Sequence, residues 1–131
     1  ALRDLSEATS ETTSIKCAFF HQPSVVIADK HVCAQLYRIA QEAVNNAVRH
    51  ARPANLLIRL FQRDQAVLLE VSDDGCGFDE ASPSGSGIRN MQYRCRMIGA
   101  RLDVQPNPNG GTSVVVTMRS GVAAELEPAM T

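Results

Sequence analysis

The most regular hydrophobic pattern in the chain runs over residues 29–51, where Val32, Leu36, Ile39, Ala40, Ala43, Val44, Ala47 and Val48 recur at three- and four-residue steps. That spacing predicts one long amphipathic helix, with Asp29 as its N-cap and Pro53 as its stop. Residues 14–20 alternate well enough to predict a strand, closed off by Pro23. Residues 56–61 and 67–72 are rich in Leu, Ile and Val and flank Arg63-Asp64-Gln65, the pattern of an antiparallel hairpin. A polar stretch rich in Gly, Ser, Asp and Pro follows over residues 73–87 and reads as a functional loop. Ile88, Met91, Cys95 and Ile98 predict a second helix ended by Gly99, and two more strands are expected at residues 100–105 and 113–118. No internal repeat divides the chain. The expected organisation is a helical remnant of a linker or dimerisation helix at residues 1–13, one domain at 14–120, and a tail without structure at 121–131.

Length and charge narrow the choice. A chain of 131 residues suits a single domain able to bury a core without disulfides or structural metal. With 13 Lys+Arg against 14 Asp+Glu, the formal charge of -1 gives no global basic field, so neither nucleic acid nor an anionic membrane is expected as a partner. Cys17, Cys33, Cys76 and Cys95 lack both zinc-site spacing and the density of a disulfide scaffold, which suits reduced thiols in a cytoplasmic domain. No run of about 18 apolar residues is present, and a membrane-anchored parent is compatible with that. Both ends look like internal boundaries of a longer protein.

Four polar constellations stand out against this background. On the long helix, Glu42 and Asn46 are four residues apart and share a face, so a carboxylate and an amide oxygen together suit Mg²⁺, with Arg49 in reach of a phosphate. A solvated polar face explains the same spacing equally well. Asp73-Asp74-Gly75-Cys76-Gly77 ends a strand, and its glycines let the backbone approach a planar ligand while a carboxylate accepts from an exocyclic amine. An ordinary Asp-Gly turn is the plainer alternative. Gly85-Ser86-Gly87-Ile88 opens the second helix, whose free N–H groups suit phosphates, although the same glycines serve as loop punctuation. Gly110-Gly111-Thr112, taken alone, is only a turn before the last strand.

In this order and spacing the four segments resemble the N, G1 and G2 boxes and terminal Gly-Gly-Thr of the GHKL superfamily, which includes gyrase B, the heat-shock chaperone, MutL and sensor histidine kinases. The stretch from Leu36 through Glu42, Asn46 and His50 is most similar to the N box of the nitrate/nitrite-sensor subfamily of those kinases. The short spacing between the G boxes and the helix with Met91 and Arg94 carry the same likeness. Tyr93 stands where that subfamily often has Glu, and Cys76 where Arg or Pro is common. The resemblance implies an α/β two-layer sandwich of the Bergerat type, a mixed and mostly antiparallel sheet packed on helices, with ATP held between the long helix and the loop after Gly77. It further implies Asn46 as the magnesium ligand, with Glu42 assisting it or orienting water or the phosphoryl acceptor. Asp73 would bind the adenine amine, Gly75 and Gly77 would line the purine pocket, and Thr112 would support the adenine contact. His50 would lie near base or sugar, Arg49 near the phosphates, and Gly85, Gly87 and Ile88 in the segment covering them.

The implied activity is ATP-dependent phosphorylation of a histidine in a two-component phosphorelay, with ATP and Mg²⁺ as cofactors. The implied partners are the protein's own dimerisation and phosphoacceptor helices and a response regulator, within a homodimeric full-length protein. His21, His31 and His50 lack the acidic follower of an acceptor histidine, so this chain is expected to bind ATP without phosphorylating itself. Two alternatives share the boxes: a serine kinase of the anti-sigma-factor type, and a nucleotide-binding module without transfer activity.

Overall fold

The computed structural model describes residues 2–75, 86–108, 110–119 and 125–126. Its centre is a five-stranded sheet of β1 (Lys16–His21), β3 (Asn55–Arg63), β4 (Ala66–Asp73), β6 (Thr112–Arg119) and β5 (Arg101–Pro106), in the spatial order β1-β3-β4-β6-β5. Only β1 and β3 run parallel; every other neighbouring pair is antiparallel. The β3–β4 turn places Asp64 and Gln65 at φ 51° and 65°. Two successive left-handed residues match the right-handed twist of the flanking strands, which is why so tight a hairpin forms without glycine.

Alternation along the strands decides which face is covered. Leu56, Ile58 and Leu60 of β3, Val67, Leu69 and Val71 of β4, and Val116 and Met118 of β6 are buried on one face. The helices lie there. Helix α2 (Lys30–Asn46) buries Val32, Leu36, Ile39, Ala40, Ala43 and Val44, the stripe its periodicity predicts. Asp29 caps it, its carboxylate accepting from the backbone N–H groups of His31 and Val32 at 2.8 and 3.2 Å. Helix α3 (Ser86–Met97) inserts Met91 and Cys95 into the same core, and Arg94 Nη1 donates to Oε1 of the buried Gln35 at 3.0 Å, tying α3 to α2. Gly99, at φ 67°, turns the chain out of α3.

Three features go beyond the pattern: the packing of the helix expected at residues 1–13, a short strand pair, and a π turn. Helix α1 (Leu2–Thr12) packs on β1, with Leu2 and Leu5 against the core and Ser6 Oγ donating to the Cys17 carbonyl at 2.9 Å. A two-residue strand β2 (Val25–Val26) follows Pro23 and pairs with β7 (Glu125–Leu126), within the stretch expected to be a tail. Helix α2 continues through a wider π-helical turn at Ala47–Ala51, and Arg52 then reverses the chain at φ 46° ahead of Pro53. Isolated π turns of this kind cluster at functional sites because they re-aim side chains without ending the helix.

Candidate functional site

The exposed end of α2 and the first turn of α3 come together. Glu42 and Asn46 lie on one half-buried face, and the buried Gly87 sits against it. A Cβ at Gly87 would meet Asn46 Nδ2 at 2.8 Å, Glu42 Oε2 at 3.0 Å and Asn46 Oδ1 at 3.1 Å, so a larger residue there would have to push these side-chain ends aside. Arg49 completes the group: its Nη2 donates to Asn46 Oδ1 at 3.3 Å and stands 3.6 Å from Glu42 Oε2. A cation is therefore already held where the carboxylate and amide converge. His50 follows within the π turn, exposed beside Arg49. Ile88 packs partly buried against the core from the first turn of α3.

At the end of β4, Asp73 is only 9% exposed and points to the helix side of the sheet. Its Oδ1 accepts from the Gly75 N–H at 2.8 Å, and the Thr112 backbone N–H also donates to the carboxylate. Burial nevertheless raises its pKa above the ordinary carboxylate value, with the charge of Asp74 adding to that effect. Thr112, also buried, lies beside it at the start of β6, and its Oγ1 has no hydrogen-bond partner among the described residues. A buried hydroxyl without a partner costs free energy, and a ligand polar atom would relieve that cost. Gly111 is at φ 93° and passes so close that a Cβ there would overlap the Asp73 carbonyl. The Gly-Gly-Thr turn thus lies directly against the carboxylate.

Asp74, next in sequence, does something different. Its Oδ1 accepts from the backbone N–H groups of Ala54 and Asn55, each at 2.9 Å, and its Oδ2 from Asn55 Nδ2 at 2.8 Å. These hydrogen bonds lower its pKa and latch the end of β4 to the segment leaving α2. Sequence reasoning missed this latch, and also Asn107, whose amide Nδ2 donates to the Asp73 carbonyl at 2.9 Å. Neither had a periodic or motif signal, because both act on backbone groups brought together only by the fold.

The structure brings Glu42, Asn46, Arg49 and Gly87 into one group and Asp73, Gly75 and Thr112 into another. Gly77 and Gly85 lie outside the described residues. A cavity of about 800 Å³ reaches Asp73 from the side of α1 and β1, past Ser10, Lys16 and Asn55, and includes none of Glu42, Asn46 or Arg49. This hollow is therefore separate from the phosphate-suited face. Among the described residues, no three His, Cys, Asp or Glu side chains converge as a metal cage, so any cation at Glu42 and Asn46 would take further ligands from elsewhere.

Residues 32–121 match the family model described as histidine kinase-, DNA gyrase B-, and HSP90-like ATPase. The chain belongs to this ATPase family. Sensor protein VraS of Staphylococcus saprophyticus is 37% identical over 83 residues, covering 62% of this chain and 24% of that protein. The VraS proteins of several Staphylococcus aureus strains are similar to the same degree. The match thus spans about a quarter of the length of these curated relatives. The ATP-binding domain of PrrB from Mycobacterium tuberculosis superposes with a TM-score of 0.74 at 18% identity, covering 89% of this chain and 88% of that one. The histidine kinase domain of the blue-light activated kinase of Erythrobacter litoralis gives 0.75 at 20% identity, covering 90% and 58%. The fold of this ATPase-family chain is the histidine kinase ATP-binding fold, a mixed five-stranded sheet on helices. Among the described residues, no helix is long and apolar enough to cross a membrane.

Proposed function

We propose that this chain is the ATP-binding catalytic domain of a two-component sensor histidine kinase of the nitrate/nitrite-sensor subfamily. The observation that carries the reading is the buried pair of Asp73 and Thr112, a desolvated carboxylate beside a hydroxyl that has no hydrogen-bond partner among the described residues. Adenine offers an amine donor and an adjacent ring acceptor, which complement a carboxylate and a hydroxyl. Gly75 and Gly77 follow Asp73 closely in sequence, and we assign them to the purine pocket.

The triphosphate would extend toward α2. There Asn46 and Glu42 fit Mg²⁺, since one amide oxygen and one carboxylate leave room for phosphate and water ligands. Bound magnesium supplies charge neutralisation on the phosphate oxygens. Arg49, which bridges Asn46 and Glu42, would transfer its guanidinium to a phosphate, and His50 would face base or sugar. Gly87 and Ile88 present the free N–H groups of the α3 start, with Gly85 just before them. Glu42 orients the acceptor: the histidine nitrogen forms a bond to the γ-phosphorus as the bond to the bridging oxygen breaks, and ADP leaves.

That histidine would reside on a dimerisation segment of the full protein, which passes the phosphoryl group to a response regulator. His21 does not serve, since its Nε2 is engaged with the Val25 carbonyl at 2.6 Å on the far edge of the sheet. A thermal-shift titration with ATP and ADP, with and without Mg²⁺, tests the nucleotide site. At about 100 times Kd, ATP should stabilise the domain by roughly 2.7 kcal/mol, with a magnesium-enhanced shift that Asp73→Asn removes. No shift at millimolar nucleotide would sink the assignment.

A further inference from the structure

We propose that Asn107 is a positioning residue for base selection, fixing from the β5–β6 turn the backbone that aims the Asp73 carboxylate. This inference rests on the reading of Asp73 as the adenine contact. The last register pair of the β4–β6 ladder is Ser72 with Ser113. Two residues further on, Gly111 turns at φ 93° and passes directly against the Asp73 carbonyl, beyond the last rung of that register.

The Asn107 side chain fills the place of the next ladder rung. Its Nδ2 donates to the Asp73 carbonyl at 2.9 Å and to Ser72 Oγ at 3.0 Å, and its Oδ1 accepts from Ser113 Oγ at 2.6 Å. The backbone of Asn107 is gripped too, its N–H donating to the Gly111 carbonyl at 2.9 Å and its carbonyl accepting from Gly110 at 3.1 Å. Ser72 and Ser113 point to the outer face of the sheet, so Asn107 works from behind the purine pocket and touches no nucleotide. An amide suits this position because it both donates and accepts. A carboxylate of the same shape has no donor for the Asp73 carbonyl, and alanine leaves it unpaired.

The consequence falls on discrimination between purines. Adenine presents an amine donor to Asp73, whereas guanine presents a carbonyl acceptor in the same place. The carboxylate rejects guanine only while it is held in line. With that hold released, the penalty against guanine shrinks while contacts to ribose and phosphate persist.

Calorimetric titration of the whole chain with ATP and with GTP, in the presence of Mg²⁺, tests this on the wild type, Asn107→Ala, the near-isosteric Asn107→Asp, and Asp73→Asn. Both Asn107 variants should weaken ATP and bring the GTP-to-ATP Kd ratio down about tenfold, a fraction of the discrimination a hydrogen-bonding pocket supplies. A merely structural role lowers the melting temperature and leaves that ratio at its wild-type value, which would overturn the proposal. If Asn107→Ala fails to fold, the ratio in Asn107→Asp decides. Asp73→Asn separates the two layers. A wild-type ratio there means Asp73 does not read the base, and both readings fall. A ratio collapsed in Asp73→Asn but intact in the Asn107 variants removes only the present inference.

Discussion

At the residue scale, Asp73 is held at a cost to stability. Its folded pKa is raised chiefly by burial, so the protonated form is favoured by folding, and that contribution is lost as pH rises through the folded pKa. At neutral pH the ionised carboxylate opposes folding. Asp73→Asn should therefore melt higher than wild type at neutral pH, with the gap narrowing as the pH falls into the carboxylate range. A pH series of melting curves checks this, and a lower-melting variant at neutral pH would refute it. Asp74 has the opposite sign: its lowered pKa marks stability present above the ordinary carboxylate range and lost on acidification. Gly111 is a third case. With φ at 93° and the Asp73 carbonyl against it, Gly111→Ala should cost about 2 kcal/mol or more, several degrees in Tm, measurable by denaturant titration. Of these residues, Asp73 and the Gly-Gly-Thr turn were legible as a motif. The backbone-directed roles of Asp74 and Asn107 were not, since nothing local distinguishes them from other turn residues.

At the element scale, α2 was legible because its buried stripe and its cap are both sequence-local: Asp29 and the Val32 to Val44 series needed no tertiary information. The strands of the β3–β4 hairpin and of β5 and β6 were readable to within two residues at each end for the same reason. The short β2–β7 pair was hidden, since two residues cannot display an alternation. So was the π turn at Ala47–Ala51, which keeps the helical hydrophobic pattern while shifting the side chains beyond it. The start of α3 yields a prediction that separates folding from function. Gly87→Ala adds a better helix former, worth up to about 1 kcal/mol. Its Cβ must, however, displace Asn46 and Glu42. Stability should stay level or rise slightly, while the magnesium-dependent part of the ATP shift is lost. An unchanged magnesium increment would show that the Glu42–Asn46 face is not where the cation binds.

At the scale of the whole molecule, the two polar groups belong to different structural layers. One sits on the helices, the other at the end of the central strands, and the Asp74 latch to Ala54 and Asn55 joins them. The single parallel pairing, β1 with β3, is bridged by β2 and α2, whereas β3, β4, β6 and β5 pair antiparallel with their neighbours. Short-range pairings close with little loss of chain entropy, and a long crossover closes slowly. The β4–β6 pairing that sets Asp73 beside Thr112 is itself such a long closure, 41 residues apart at its closest rung of Ser72 with Ser113, so the complete pocket forms late and exists only on the native side of the rate-limiting barrier. In stopped-flow experiments, Mg-ATP should slow the unfolding limb and leave the refolding rate unchanged. Nucleotide would act on this domain as a brake on opening rather than as a template for folding.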